Sequence, residues 1–178
     1  EQQVNDLLLF ARAGREQQAA ELSMQQLLTQ VFQAVEGIVA QQQGFITVQL
    51  PQPDLTILGN HSALTGALAN LIHNALEHAG PGAQIELAAT PEANGQFVVL
   101  AVTDQGPGVP ETLQQQIFEP FFTTRTSGTG LGLTVVQAVV TSHQGTVRCT
   151  ASASGGARFE IRLPIIVASA ALQSSKEC

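Results

Sequence analysis

Three stretches of this chain carry residue types whose spacing could do chemistry on one ligand: NLIHNALEHA at 70–79, DQGPG at 104–108 and FEPFFTTRTSGTGLGL at 118–133. At about 100° per residue, Asn70, Asn74 and Glu77 fall on one stripe of a helix. Leu64, Leu68, Leu71, Ile72, Ala75 and Ala79 fall on the opposite stripe. Asparagine is a poor mid-helix residue. Two of them a turn apart on one ridge are either a solvated face or a site.

The apolar run Phe97–Val102 reads as a buried strand. It ends at Thr103-Asp104 and breaks into Gln105-Gly106-Pro107-Gly108. A carboxylate just past a central strand can accept a hydrogen bond from the exocyclic amine of a flat heterocycle. Glycine backbone can lie against the ring with no side chain between. A plain turn is the alternative, since Asp, Gly and Pro are all turn formers. In the third stretch Gly128, Gly130 and Gly132 alternate directly before the helical pattern Leu133, Val136, Val139, Val140. A glycine-rich segment opening into a helix offers free N–H groups and a positive dipole end to an anion. A flexible connection is the alternative there. No GxxxxGK[ST] pattern occurs and no lysine follows the glycines, so this is not a Walker loop.

The elements that must position these residues follow in order. Residues 1–18 read as a polar helix with an apolar seam at Val4, Leu7, Leu8 and Ala11, suited to a partner helix, or else as a frayed terminus. An amphipathic helix is predicted over Glu21–Gln43, with Leu27, Leu28, Val31, Val35 and Ile38 inward and Gly44 as its stop. Short strands follow near Ile46–Leu50 and Thr56–Leu58, with Pro51 and Pro53 between them. Asn60 is placed to cap the asparagine-bearing helix. The alternation Ile85, Leu87, Ala89 predicts a half-buried strand that turns at Glu92–Gly95 into Phe97–Val102. A second hairpin joins Thr146–Thr150 to Arg158–Leu163 through Ser154-Gly155-Gly156, with Phe159, Ile161 and Leu163 inward and Pro164 as its end. The tail 165–178 has no clear period, the pattern of a disordered segment. This order predicts an α/β two-layer sandwich: one mixed, largely antiparallel sheet with three main helices on one face.

Together the motifs resemble those of the ATP-binding catalytic domain of sensor histidine kinases, within the GHKL or Bergerat superfamily that includes gyrase, Hsp90 and MutL ATPases. NLIHNALEHA is similar to that family's N box, DQGPG to its first glycine box, IFEPFFTTR to its F box and GTGLGL to its second glycine box, in the family's order and spacing, over roughly Leu22 to Pro164. The resemblance implies a Bergerat ATP-binding fold over 19–164, preceded at 1–18 by the end of a dimerisation and histidine-phosphotransfer helix. It implies ATP and Mg2+ as cofactors. Asn74 stands at the magnesium-binding position, with Asn70 supporting it one turn earlier. Asp104 stands at the adenine reader, and Gly106 and Gly108 let its loop approach the base. His78 occupies a position where relatives often carry an aromatic residue near the adenine. Thr124, Gly128, Thr129, Gly130, Leu131 and Gly132 fall in the lid over the phosphates. Arg125 falls where the family often has Lys or Arg, facing the γ-phosphate or a partner carboxylate. Asn70, Asn74 and Arg125 are the catalytic residues so implied; Phe118, Phe121 and Phe122 are expected to anchor the lid's base to the core, with plain packing as the alternative and the favoured reading for Phe118.

The implied activity is transfer of the γ-phosphate of Mg-ATP to a histidine, a reaction that is mostly positioning and charge neutralisation. The superfamily's hydrolases and serine-kinase anti-sigma factors carry a Glu one turn before the magnesium-binding Asn. Asn70 stands there instead and takes no proton at neutral pH, which favours the histidine-kinase branch. His61 starts a helix, His73 lies off the ridge, and His143 lies near a helix C-terminus, where a cation suits the dipole. No histidine here is followed by the acidic residue and proline that mark the family's phospho-acceptor. That acceptor is expected on an upstream domain absent from this chain, in a homodimer that passes phosphate to a response regulator. A regulatory nucleotide-binding module and a GHKL-type ATPase are the alternatives. The wording of IFEPFFTTR and NALEHA leans toward the nitrogen-regulation and flagellar sensor kinases, whose partners are enhancer-binding regulators. Three positions depart from the family's habit: Asn60 for Asp, Glu77 for Lys, and His143-Gln144-Gly145 for His-Gly-Gly.

At 178 residues the chain is one domain with an appendage. Its net charge of −7 argues against nucleic acid, which calls for a basic surface. Cys149 and Cys178 have no metal or disulfide spacing, which points to a reduced, cytoplasmic setting. The longest apolar run, around Ile165–Leu172, falls well short of the ~20 residues of a membrane helix, and the chain opens on no leader pattern. No membrane contact is expected of this segment.

Overall fold

The computed structural model describes residues 19–124 and 128–166. The predicted helix at 1–18, Arg125 and the tail beyond Ile166 lie outside the described residues. The elements are β1 (Ala20–Ser23), α1 (Met24–Gln41), β2 (Phe45–Gln49), β3 (Thr56–Gly59), α2 (His61–Ala79), β4 (Gln84–Pro91) and β5 (Phe97–Asp104), then 3-10 turns at Glu111–Leu113 and Gln116–Phe118, then α3 (Gly132–Ser142), β6 (Thr146–Ala151) and β7 (Ala157–Pro164). Five strands form one sheet in the order β2-β4-β5-β7-β6, and β1 pairs separately with β3. Within the large sheet only β2 and β4 run parallel. With α1, α2 and α3 over one face, this is the predicted two-layer sandwich.

The core lies between the layers and follows from the two periodicities. On α2, Leu64, Ala67, Leu68, Leu71, Ile72, Ala75 and Leu76 are buried, a 3.6-residue stripe that adds Ala67 and Leu76 to the predicted set, while predicted Ala79 is only half-buried. On β7, Phe159, Ile161 and Leu163 are buried and their neighbours are not, a period of two. The outer face of the sheet is covered by paired charges: Arg162 meets Glu92 and stacks 3.2 Å above the Phe97 ring, while Glu160 lies between Arg148 and Arg158.

Three boundaries differ from expectation, each for a local reason. Residues 20–23 form a strand against β3, with Leu22 opposite Ile57, so that 21–23, predicted as the first turn of α1, are extended instead. Ser23 is extended (φ −69°, ψ 131°) and its Oγ accepts from the Gln26 N–H, so the capped helix begins at Met24. Asp54 completes that cap, accepting from the Gln25 and Leu55 N–H groups and from the Ser23 hydroxyl.

Gly44 does close the end of α1, but the left-handed residue there is the one before it. Gln43 takes the left-handed conformation (φ 57°), and Gly44 N–H reaches back to Val39 O at 2.9 Å. The end of α3 repeats the motif: Gln144 has φ 57°, and Gly145 N–H bonds Val140 O at 2.9 Å. Finally, the first two residues of the supposed tail are tied down: Ile165 N–H bonds Gln96 O and Ile166 N–H bonds Thr56 O. Among the described residues no helix is long and apolar enough to cross a membrane.

Candidate functional site

Strand parity places the key carboxylate. Val98, Leu100 and Val102 of β5 turn toward the helices and are buried; two residues on, Asp104 shares their side and is only 4% exposed. A buried carboxylate needs donors. Oδ1 accepts from Gly106 N–H at 2.8 Å and from Ala157 N–H at 3.1 Å. Oδ2 has no bond among the described residues.

Asp104 opens into a cavity of about 490 Å³, a volume typical of small-molecule sites. Asn70, Asn74, Glu77 and His78 line it from α2, and Gly108 from the loop after β5. Thr124, Gly128, Thr129, Gly130 and Gly132 line it from the segment before α3. Three stretches far apart in the chain therefore meet at one cavity, as their spacing predicted. Arg125 lies outside the described residues.

Two predicted residues do not line the cavity. Gly106 uses its missing Cβ elsewhere: a Cβ there would sit 3.2 Å from Ala79 Cα at the end of α2 and 3.1 Å from Asp104 Oδ1. Leu131 is the residue before α3, and its N–H is held by Thr129 Oγ1 at 3.3 Å. Other residues line the cavity without having been singled out. His73 is one: it stands only about 60° round the helix from Asn70, so the cavity takes a wider arc of α2 than the asparagine ridge. Thr123 is another, and an apolar wall is formed by Pro107, Val109, Pro110, Leu113, Ile117 and Phe122, with Leu133, Ala157 and Phe159. Most of that wall comes from an irregular segment with no period to read.

In the segment before α3, Gly130 is the glycine that the backbone requires. Gly130 has φ 65°, and a Cβ there would lie 2.7 Å from Phe121 Cα. Around Gly132, by contrast, there is open space. Phe118 is packed in the core, as favoured for it, buried edge-to-face against Phe159 at 6.4 Å, and Phe122 is half-buried on the cavity wall. Phe121 does not anchor. With φ 65° and its N–H on Gly130 O, its backbone holds the lid while its ring is 74% exposed. The start of α3 carries no side-chain cap, so its first N–H groups are open to a ligand beside Gly130 and Gly132. Asn70 Nδ2 is a second open donor, buried with no partner among the described residues.

α2 and α3, which carry the two polar sides of the cavity, are tied end to end. Asn60 Oδ1 caps α2 by accepting from Ala63 N–H at 3.0 Å, and Asn60 N–H donates to His143 Nε2 at 2.9 Å. His143 Nδ1 lies 2.7 Å from Val139 O, to which it donates. This geometry uses the neutral ring, so His143 links helices and is not the dipole-stabilising cation expected.

Comparison with known proteins settles the class. Residues 59–166, more than half of the chain, match the family of histidine kinase-, DNA gyrase B-, and HSP90-like ATPases. The chain belongs to this family. It is 36% identical over 172 residues to the probable sensor histidine kinase TcrY of Mycobacterium tuberculosis, and 32% identical over 170 residues to the sensor histidine kinase CpxA of Escherichia coli. Each alignment covers 91% of this chain but only 35% and 36% of those proteins, so the chain spans about a third of their length. Full-length ShkA in complex with AMPPNP superposes with a TM-score of 0.78 at 31% identity, covering 91% of this chain and 35% of that one. The catalytic domain of histidine kinase ThkA gives 0.74 at 27% identity, covering 82% and 95%. The two-layer sandwich is therefore the Bergerat fold of a histidine-kinase ATP-binding domain.

Proposed function

We propose that this chain is the catalytic part of a sensor histidine kinase. It binds Mg-ATP in the cavity and presents the γ-phosphate to a histidine on an upstream domain. One observation supports this most: Asp104, Asn74 and the glycine segment at 128–132 line the same cavity. Asp104 Oδ2 accepts from the adenine amine while the apolar wall flanks the ring, and His78 adds a stacking face. Asn74 gives its amide oxygen to Mg2+, which when bound neutralises phosphate charge. Asn70 Nδ2, Thr129 and the open N–H groups of α3 donate to phosphate oxygens, and Arg125 meets the γ-phosphate.

The rest of the assignment follows from the family. Residues 1–18 are the end of the dimerisation helix, the full protein is a homodimer with this domain in the cytoplasm, and the phosphate passes to a response regulator. A nitrogen-regulation or flagellar type of regulator remains part of the proposal.

The test mixes this chain with a separately made helical domain carrying the acceptor histidine, with labelled Mg-ATP. Acid-labile phosphohistidine on that domain is the expected product. Binding without transfer would indicate a regulatory nucleotide module instead. Because Asn70 cannot take a proton, hydrolysis by the chain alone should be slow; turnover above about 1 s⁻¹, ordinary for a working enzyme, would place it with the ATPases.

A further inference from the structure

The turn between β6 and β7 belongs to none of the chemical motifs, yet it meets Asp104 at three points. Ser152 is 9% exposed, and its hydroxyl donates to Asp104 O at 3.3 Å. The same Oγ organises the turn: it accepts from the Ser154 and Gly156 N–H groups, each at 3.2 Å, and lies 2.8 Å from Ser154 Oγ. Ala157 then donates its N–H to Asp104 Oδ1 at 3.1 Å. Between them Gly156 lies flat on the aspartate, where a Cβ would come within 2.5 Å of Oδ1 and 2.6 Å of the carbonyl carbon.

These contacts bear on what the carboxylate can read. The terminal torsion of an aspartate is broad and only loosely two-fold. The Gly106 N–H, two residues on, belongs to Asp104's own loop. Ala157 can fix that torsion against the rest of the fold, because it is the first residue of β7 and is held in the sheet opposite Ala151. The Ser152 hydroxyl sets the turn that delivers it. Without that oxygen two backbone N–H groups lose their acceptor, and the turn loses its grip on Asp104.

We propose that Ser152 is a positioning residue for the base-reading carboxylate, and that the Ser152–Ala157 turn thereby sets selectivity for adenine over 6-oxopurines. The inference rests on Asp104 being the base reader. A merely structural Ser152 would support both bases equally. A positioning Ser152 supports only the base whose amine Asp104 accepts.

The experiment measures Mg-ATP and Mg-ITP affinity by calorimetry on the chain and on Ser152→Ala, Ser152→Thr, Gly156→Ala and Asp104→Asn. Ser152→Ala should weaken ATP by about three- to tenfold, the value of one hydrogen bond, and leave ITP unchanged, so the ATP:ITP preference falls. Ser152→Thr keeps the hydroxyl and restores the preference. In an Asp104→Asn background Ser152→Ala should change the ratio no further. Gly156→Ala displaces the aspartate from the other side and should lower the same ratio; it carries the test should Ser152→Ala fail to fold. A ratio unchanged in Ser152→Ala or in Gly156→Ala, yet collapsed in Asp104→Asn, overturns the proposal alone. A ratio unchanged in Asp104→Asn overturns the base-reading assignment beneath it.

Discussion

Replacing Asp104 by Asn separates what the side chain does for the fold from what it does for a ligand. Asparagine has the same shape, and its Oδ1 can keep both bonds, from Gly106 N–H at 2.8 Å and from Ala157 N–H at 3.1 Å. What the fold loses is the charge reinforcement of those bonds, offset in part because a buried charge is no longer desolvated. The net cost should be about 1 kcal/mol, or about 2–4 °C in melting temperature for a chain of this size. The cavity side changes sign altogether. Where Oδ2 accepted, an NH2 group now donates, and it faces the donating amine of adenine. Losing a hydrogen bond to a charged group costs about 1.5–3 kcal/mol, so Mg-ATP should bind about 10- to 150-fold more weakly. Mg-ITP presents a carbonyl at that position and should bind as well as to the parent or better. Calorimetry with both nucleotides, alongside thermal unfolding, reads the two effects separately. If the variant melts near the parent and binds ATP within about threefold of it, less than one lost hydrogen bond, Asp104 is not the base reader.

Four further outcomes follow from the geometry. Gln144→Gly should raise the melting temperature by about 2–4 °C, because Gln144 has φ 57° and an L-residue held left-handed costs about 1 kcal/mol; Gly145→Ala should lower it, since a Cβ there would meet Arg162 O at 2.5 Å. For Asp54 burial works against the charge, but bonds from the Ser23 hydroxyl and the N–H groups of Gln25, Leu55 and Met24 outweigh it and hold the carboxyl below its ordinary range. Its folded value thus lies below its unfolded value near 4, so its stabilisation is complete above that pH and fades as the pH falls through the folded value. In urea unfolding, Asp54→Asn should be less stable than the parent at pH 7, with the gap closing in strong acid. Asn74→Ala should leave nucleotide affinity in EDTA unchanged and abolish most of the gain that Mg2+ gives; an undiminished gain removes Asn74 as the metal ligand.

Much of the fold was legible because it rests on repeats that a linear pattern records. The 3.6-residue stripe of α2 and the alternation of Phe159, Ile161 and Leu163 each name their buried face without reference to anything distant. The first strand was not legible. Ala20–Ser23 has no strand pattern and exists because β3 lies beside it, so tertiary pairing overrode a local helical signal. The helix stops show a subtler failure. Gly44 and Gly145 do mark the ends of α1 and α3, but the left-handed residues are the glutamines before them. The glycines are there for close approach: a Cβ on Gly44 would sit 3.0 Å from Ala83 O, and one on Gly145 would strike the backbone of β7. The residue type was informative and the obvious reason for it was wrong.

The same distinction runs through the site. The amide ridge, the carboxylate and the glycine segment could be read because each is a local pattern with a chemical meaning, and parity alone turns Asp104 to the helix side of β5. What makes those groups a site is supplied by residues with no such meaning. His143 joins α3 to the cap of α2 through Asn60 N–H. Phe121 lends a strained backbone to Gly130 while its ring points away. Ser152 and Gly156, which in sequence announce only a hairpin turn, close on the aspartate from 48 and 52 positions away. Recognition chemistry is concentrated in short motifs because a ligand must be touched by particular atoms. Alignment of those atoms is delegated to whatever backbone happens to lie behind them, and any residue small enough or bonded in the right direction will serve. A motif therefore says which atoms meet the ligand, and only the packed fold says what keeps them aimed.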